Sequence, residues 1–251
     1  MKPVRYFSLA ILSLILAACA STDQATVDHA ALLGDQLTNS GRSDEDKSRD
    51  AGRKPAEVLA FLGVQPGMTT MDVMASGGWY TEVLSVAVGP KGKVYAHNLP
   101  SFLQFRDGFY DKAISARLAD NRLANVIRLD APMQDTGIEP GSVDVAVTAL
   151  NLHDIYNNSE DNAVAMLKVL HGLLKSGGVL GVIDHRGDAG ADNRALHRMQ
   201  EAQAIEVAEA AGFEVTSSEI LASTEDDHTK MVFAPAIRGK TDRFLLKLTK
   251  P

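Results

Sequence analysis

The sequence predicts a doubly wound α/β domain, and three observations carry that reading. Val179 to Ile183 is an uninterrupted apolar run, of the kind buried on both faces of a parallel sheet. Ala163, Met166, Leu167, Leu170 and Leu174 recur at helical spacing before it, after the strand-like Val143 to Thr148. Glycine turns punctuate the segments, Ser76-Gly77-Gly78 after one strand and Gly177-Gly178 before another. Strands alternating with helices in this way make one sheet covered on both sides.

The other elements follow in order. Pro55 opens a short helix bearing Val58, Leu59, Phe61 and Leu62, and Gly63 closes it. Thr69 to Ala75 is the first strand, and Trp79 to Val88 a helix with Tyr80, Val83, Leu84 and Ala87 on one side. Val94-Tyr95-Ala96 and Val126 to Leu129 are the next strands. A helix is expected from Asn193 to Ala211, ending at Gly212, then strands at Phe213 to Leu221 and Arg243 to Lys250.

The chain has 251 residues with a net charge of -7, which is the wrong sign for a nucleic-acid partner. Its one cysteine excludes an internal disulfide and any cysteine-cluster metal site. That cysteine is Cys19. Two positive charges in Met1 to Arg5 precede an apolar run, Phe7 to Ala18, long enough for a secretory leader and too short to span a bilayer. The run ends Leu16-Ala17-Ala18-Cys19, which resembles a bacterial lipobox. The organisation expected is a lipoprotein signal peptide over residues 1–18 and a flexible tether over 19–48, anchored to the membrane by lipid on Cys19. A single domain then fills 49–251. Ala20 and Ser21 after the cysteine imply, by resemblance to Gram-negative lipoproteins, the periplasmic side of the outer membrane. The tether is read from the polar stretch Ser43-Asp44-Glu45-Asp46-Lys47.

Ligands of such sheets bind outside the carboxyl ends of the strands, which selects the residues to inspect. Met74-Ala75-Ser76-Gly77-Gly78 follows strand one, His97-Asn98 strand two and Asp130-Ala131 strand three. Asn151-Leu152-His153-Asp154 follows strand four, and Asp184-His185-Arg186 strand five. Met71 to Glu82 resembles the nucleotide-binding loop of class I S-adenosylmethionine-dependent methyltransferases, and Leu174-Lys175-Ser176-Gly177-Gly178 the turn before their fifth strand. More narrowly, Gly77 to Glu82, Asn151 to Asp154, Asp184 to Arg186 and Ile237 to Asp242 resemble a group of bacterial exported methyltransferases.

That resemblance implies a seven-stranded Rossmann-like sheet with its last strand antiparallel, and S-adenosylmethionine as cofactor. It places Asp72 at the ammonium of the methionyl group and the turn Ala75, Ser76, Gly77 and Gly78 against the donor. Asn98 stands where an acid grips the ribose, Asp130 and the Ala131 N–H face the adenine, and Asn151 completes the cofactor set. Two departures stand out: Met74 and Ser76 occupy the first two glycine positions of the family's loop, and Ser76 fits there if its φ is negative.

Three acid–histidine doublets, His153-Asp154, Asp184-His185 and Asp227-His228, fall on the ligand edge. Methyl transfer is an in-line displacement, so the protein supplies alignment and, for a hydroxyl acceptor, a base. His153 or His185 fills that role, with Asp154 or Asp184 as orienter and Arg186 as anchor for a small-molecule acceptor. The bland alternative has Asp184 capping the next loop and His153 packing beside the cofactor. The same residues also suit a divalent metal such as Zn²⁺ or Mn²⁺, although none of the pairs sits one helical turn apart. His29, His97, His171 and His197 read as surface, loop or helix-packing residues, although His197-Arg198 opens near the acceptor side; Arg49, Asp50 and Arg53 read as a solvated helix start or, as the resemblance implies, as a lid or donor-binding stretch. An exported enzyme sits away from cytosolic S-adenosylmethionine. Two other readings therefore stand beside methyl transfer: a non-enzymatic periplasmic binding protein on the same fold, and a metal-dependent enzyme.

Overall fold

A computed structural model describes residues 9–251, with side chains from residue 24 onward. Residues 1–8 of the expected leader and the side chains of residues 9–23, Cys19 included, lie outside the described residues. Four helices, α1 (Leu9–Thr38), α2 (Asp44–Ser48), α3 (Asp50–Arg53) and α4 (Pro55–Leu62), precede β1 (Thr69–Val73). There follow α5 (Trp79–Val88), β2 (Lys93–Asn98), α6 (Pro100–Leu103), α7 (Phe105–Leu118), β3 (Val126–Asp130) and β4 (Val143–Ala149). The rest is α8 (Leu152–Asn158), α9 (Glu160–Leu173), β5 (Leu174–His185), α10 (Asn193–Leu196), α11 (Glu201–Ala210), β6 (Glu214–Ser218) and β7 (Arg243–Thr249).

The strands form one sheet in the order β3-β2-β1-β4-β5-β7-β6. The first five are parallel, and β7 runs antiparallel to both β5 and β6, as the expected fold requires. Because side chains alternate along a strand, β4 and β5 feed two cores. Ala146, Leu180 and Val182 meet α9 and α11 on one face. Val145, Val147, Val179 and Ile183 meet α1, α4 and α5 on the other. The second face packs closely: a Cβ on Gly181 would come within 2.5 Å of Leu62, so only glycine lets α4 lie this near β5. The strand order reverses between β1 and β4, and the crevice this opens lies at the carboxyl ends of those two strands.

Two expectations are corrected. The stretch read as a flexible tether packs on the domain: Leu33 and Leu37, 1% and 2% exposed, are buried in the second core. Ser43 caps α2 by accepting a hydrogen bond from the Asp46 N–H, and three acids in that first turn suit the positive end of the helix. The helix expected from Asn193 to Ala211 is broken. His197 is left-handed (φ 54°), Met199 bridges to Arg186, and Gln200 with Gln203 forms a capping box that restarts the chain as α11.

Candidate active site at the carboxyl edge of the sheet

The turn after β1 keeps a glycine-loop shape without the glycines. Met74, Ser76 and Gly78 all have positive φ, at 56°, 55° and 79°. The expectation of a negative φ at Ser76 therefore fails, and two non-glycine residues sit in a region that costs about 1–3 kcal/mol each. Neighbouring strands hold them there. The Ala75 N–H donates to His97 O (2.8 Å), and the Ser76 N–H donates to Asn98 Oδ1 (2.8 Å). Asn98 Nδ2 returns a bond to Ser76 O (3.2 Å). Beneath, His97 receives the Met74 N–H at Nδ1 (3.4 Å) and donates from Nε2 to Ala131 O (3.0 Å), which fixes its tautomer, while burial lowers its pKa. Gly78 combines a positive φ with little room: a Cβ would lie 2.5 Å from the Ile114 Cδ1 on α7, which would have to move aside. Ser76→Gly should raise the melting temperature by about 2 °C, because the left-handed strain disappears while the backbone bond to Asn98 stays. A drop in thermal unfolding would show instead that the serine side chain carries a contact of its own.

Several residues expected to touch a donor are committed to the scaffold. Asp72 is buried and accepts from Thr81 Oγ1 (2.6 Å), anchoring the start of α5, and burial raises its pKa to about 6 against the Thr81 bonds. In this arrangement its carboxylate is not open to an ammonium group. Asn98 spends its amide on Ser76, and the Ala131 N–H is donated to Asn98 O (3.1 Å). Gly77 O takes the Arg117 Nε–H (2.7 Å). Asn151 Nδ2 ties to Ala149 O (3.0 Å), closing β4. Asp130 stays partly exposed at the tip of β3, paired with Arg128 (2.7 Å).

The acid–histidine doublets join across one another. Asp184, fully buried, accepts the His153 Nδ1–H (2.6 Å) and the His153 N–H (2.8 Å), and also the His185 N–H (2.8 Å). His153 Nε2 lies 3.3 Å from Asp154 Oδ1 without hydrogen-bonding geometry, and the same oxygen is 3.0 Å from His197 Nδ1. Burial alone would lower the His153 pKa, but Asp184 and Asp154 outweigh it and hold the ring up to about 10. His185 is the opposite case. Burial dominates and keeps it down to about 3, neutral, with its Nδ1 unpartnered. Beside His153 opens a cavity of about 430 Å³ lined by Asp154, Asn157, Asn158, Asp192, Arg194 and His197. The ligand atoms of His153, Asp154 and His197 lie within 4.8 Å of one another, a spacing that fits a divalent cation.

Two expected participants are elsewhere. Arg186 is neutralised by Glu201, by Glu219 (3.3 Å) and by Asp242 (3.2 Å), so it braces β6 and β7 instead of anchoring an acceptor. His228 contacts Asp188 (2.9 Å) and Asp242 (3.4 Å), and Asp227 bonds its own loop through Thr229. The third doublet does not converge with the other two.

No protein-family model and no curated protein matches the chain, but solved structures do. An S-adenosylmethionine-dependent methyltransferase from Aquifex aeolicus is 24% identical, over 81% of this chain and 93% of that one, with a TM-score of 0.61. Another such methyltransferase, from Mesorhizobium loti, is 13% identical over 80% of this chain and all of its own, at 0.56. The cyclase SpnF is 17% identical over 85% and 84%, at 0.59. The chain has the methyltransferase fold.

On the methyltransferase fold, the residues the sequence reading set aside prove as informative as those it chose. His197, read as packing, faces Asp154 at the cavity wall, which its left-handed backbone makes possible. Arg53 stacks on Trp79, 4.5 Å from the ring centroid, and together with Tyr80 and Arg243 lines a second cleft. The Arg49 to Arg53 stretch already carries a donor-binding alternative in the sequence, but Arg243, beside Arg53 in this cleft, lies 190 residues further on.

Proposed function

We propose that this protein transfers a methyl group from S-adenosylmethionine to a small-molecule or envelope acceptor seated in the cavity beside His153. The observation that carries the reading is the turn after β1, held in the left-handed shape of a glycine loop at Met74 and Ser76 despite its cost. Strain kept at the ligand edge of a doubly wound sheet is what a ligand-shaping loop would require. The residues present fit the donor in that respect. In this reading Asp130, partly exposed at the tip of β3, would hold it, and Asp72, Ser76, Gly77, Asn98, Ala131 and Asn151 act by fixing the turn and the strand ends around it. The donor supplies a methyl group on a sulfonium, activated without further chemistry from the protein.

The chain's own task is alignment and proton removal. Asp184 orients His153 by accepting its Nδ1–H, and Nε2, buried and unpartnered behind Asp154 of the cavity wall, is the atom that accepts a proton in this reading once the ring is neutral. The oxygen of Asp154, 3.3 Å away, is the group an acceptor displaces. Titration calorimetry with S-adenosylmethionine and S-adenosylhomocysteine tests this. Saturable micromolar binding, weakened by Asp130→Ala, supports it; no heat up to millimolar donor in folded protein sinks it.

A metal-dependent enzyme is the second reading, favoured by the His153–Asp154–His197 spacing. A melting temperature raised by Zn²⁺ or Mn²⁺ and reset by chelator would move the assignment there. We also propose anchoring by lipid on Cys19 at the periplasmic face of the outer membrane, supported by Leu16-Ala17-Ala18-Cys19. Labelled palmitate incorporated by the wild type and equally by Cys19→Ser would rule that out.

A further inference from the structure

The cavity beside His153 differs from most small-molecule sites in what lines it. Its volume of about 430 Å³ lies within the range of about 300–1,000 Å³ usual for such sites, whose walls are mostly apolar. Here α8 supplies Asp154, Asn157 and Asn158, while α10 and its flanks supply Asp192, Arg194 and His197. Ala195 is the one apolar residue in the lining. Part of the polar surface is already engaged. Asn157 Nδ2 donates to Arg198 O (2.9 Å), Arg194 Nη2 to Asn158 Oδ1 (2.8 Å), and Asp192 Oδ1 accepts the Ala195 N–H (3.1 Å). The Asn157 oxygen, the second oxygens of Asp154 and Asp192, and the rest of the Arg194 guanidinium are left for a ligand. Behind Asp154 lies the buried His153, its Nε2 unpartnered.

The charges select among ligands. An anion would meet two carboxylates with one guanidinium, itself bonded to Asn158, to hold it. A cation would meet that guanidinium, and a flat aromatic molecule or an acyl chain would find no apolar slot. An uncharged, hydroxyl-rich molecule suits the lining, because a hydroxyl donates to a carboxylate or amide oxygen and accepts from a guanidinium. An aromatic ring stands beside this polar wall. Phe233, 56% exposed, lies 5.2 Å from the His197 ring between centroids, and the Val232 N–H ties its loop to Leu196 O (3.3 Å). A pyranose matches both features. Its rim carries hydroxyl groups, and its face carries C–H bonds that the negative face of an aromatic ring attracts.

We propose that the cavity between α8 and α10 takes a sugar, an uncharged pyranose held at its hydroxyl groups by Asp154, Asn157, Asp192 and Arg194, with Phe233 as the platform for its C–H face. The assignment names the acceptor of the methyl-transfer reading and rests on it. A ring hydroxyl oxygen bonds to the methyl carbon as the carbon–sulfur bond breaks toward sulfur, and the hydroxyl proton passes to His153 Nε2.

Saturation-transfer NMR on the purified full chain tests this with glucose, galactose, mannose and N-acetylglucosamine as probes. At least one should bind saturably, and glucuronate and galacturonate should bind at least fivefold more weakly than that sugar. Asp192→Asn keeps the oxygen that caps α10, and Phe233→Ala changes an exposed side chain, so both should fold. Each should weaken the best probe fivefold or more, and Phe233→Trp should retain it. Phe109→Ala, at a comparably exposed ring on α7, should change binding by less than twofold. No binding by any of the four sugars, tighter binding of the uronates, or equal losses in Phe109→Ala and Phe233→Ala would overturn the sugar site. Calorimetry with S-adenosylhomocysteine separates this from the reading beneath it. Donor bound without sugar removes the sugar site and leaves methyl transfer standing; sugar bound without donor keeps the site and removes methyl transfer as its use.

Discussion

Asp184→Asn should leave the sheet intact, cut methyl transfer by about 10²–10⁴-fold, and lower stability by about 3 kcal/mol. Asp184 takes three N–H groups, from His153 Nδ1, His153 N and His185 N, on its two oxygens. A carboxylate only accepts, whereas an asparagine has one oxygen and one NH₂. Any rotamer of the amide therefore points N–H at N–H in a site closed to bulk solvent. The His153 ring loses the acceptor that orients it, and Nε2 its place beside Asp154.

The pH dependence gives the same substitution a second readout. His153 is held up to about 10 in the folded chain, against about 6.5 when unfolded. A raised folded value means that the stabilisation is complete below about 6.5 and is lost as pH rises through 10. Urea midpoints of wild type and Asp184→Asn should thus differ most near pH 6 and converge toward pH 10. A gap that widens with pH would show that His153 is not charged in the folded protein. The wild-type transfer rate should also climb across the same range, since the ring accepts a proton only when neutral.

The sheet was legible because its strands announce themselves locally. Val179 to Ile183 is apolar at every position, and the turn at Gly77-Gly78 marks where a strand gives way to a helix. What was not legible depends on distant partners. Leu33 and Leu37 are only two apolar positions, and their burial is decided by α4 and α5. The break at His197 follows from the pairing of Met199 with Arg186. At the site, adjacency in sequence suggested that each acid serves its own histidine. Consecutive strand residues point to opposite faces, so Asp184 reaches His153 on another element while His185 is left neutral. Arg186 looked free to hold a ligand because Glu201, Glu219 and Asp242 come from three later segments.

Arg198→Met should be the most destabilising single change at this edge, by about 3–5 kcal/mol. Arg198 is 0% exposed and bonds both oxygens of Asp226, at 2.7 and 2.9 Å, with further bonds to Arg186 O (3.0 Å) and Lys230 O (3.2 Å). Asp226 is equally enclosed and receives the Asp242 N–H (2.7 Å) and the Asp227 N–H (2.8 Å). One ion pair thus fixes both ends of the long segment between β6 and β7. Removing the cation leaves a buried carboxylate whose ionisation burial opposes and whose main counterweight is gone. Its pKa, now below the usual carboxylate range, should rise, and stability should then fall with increasing pH where the wild type gains it. The double substitution Arg198→Met with Asp226→Leu should recover most of the loss, since an apolar pair in the same space asks for no counter-charge. Urea unfolding of the four chains decides the point. A single-variant loss below about 1 kcal/mol, or no recovery in the double, would mean that the carbonyl bonds hold the segment and the ion pair does not. The segment also delivers Asp242 to Arg186, so its loosening in Arg198→Met should free Arg186 from one of its three carboxylate partners.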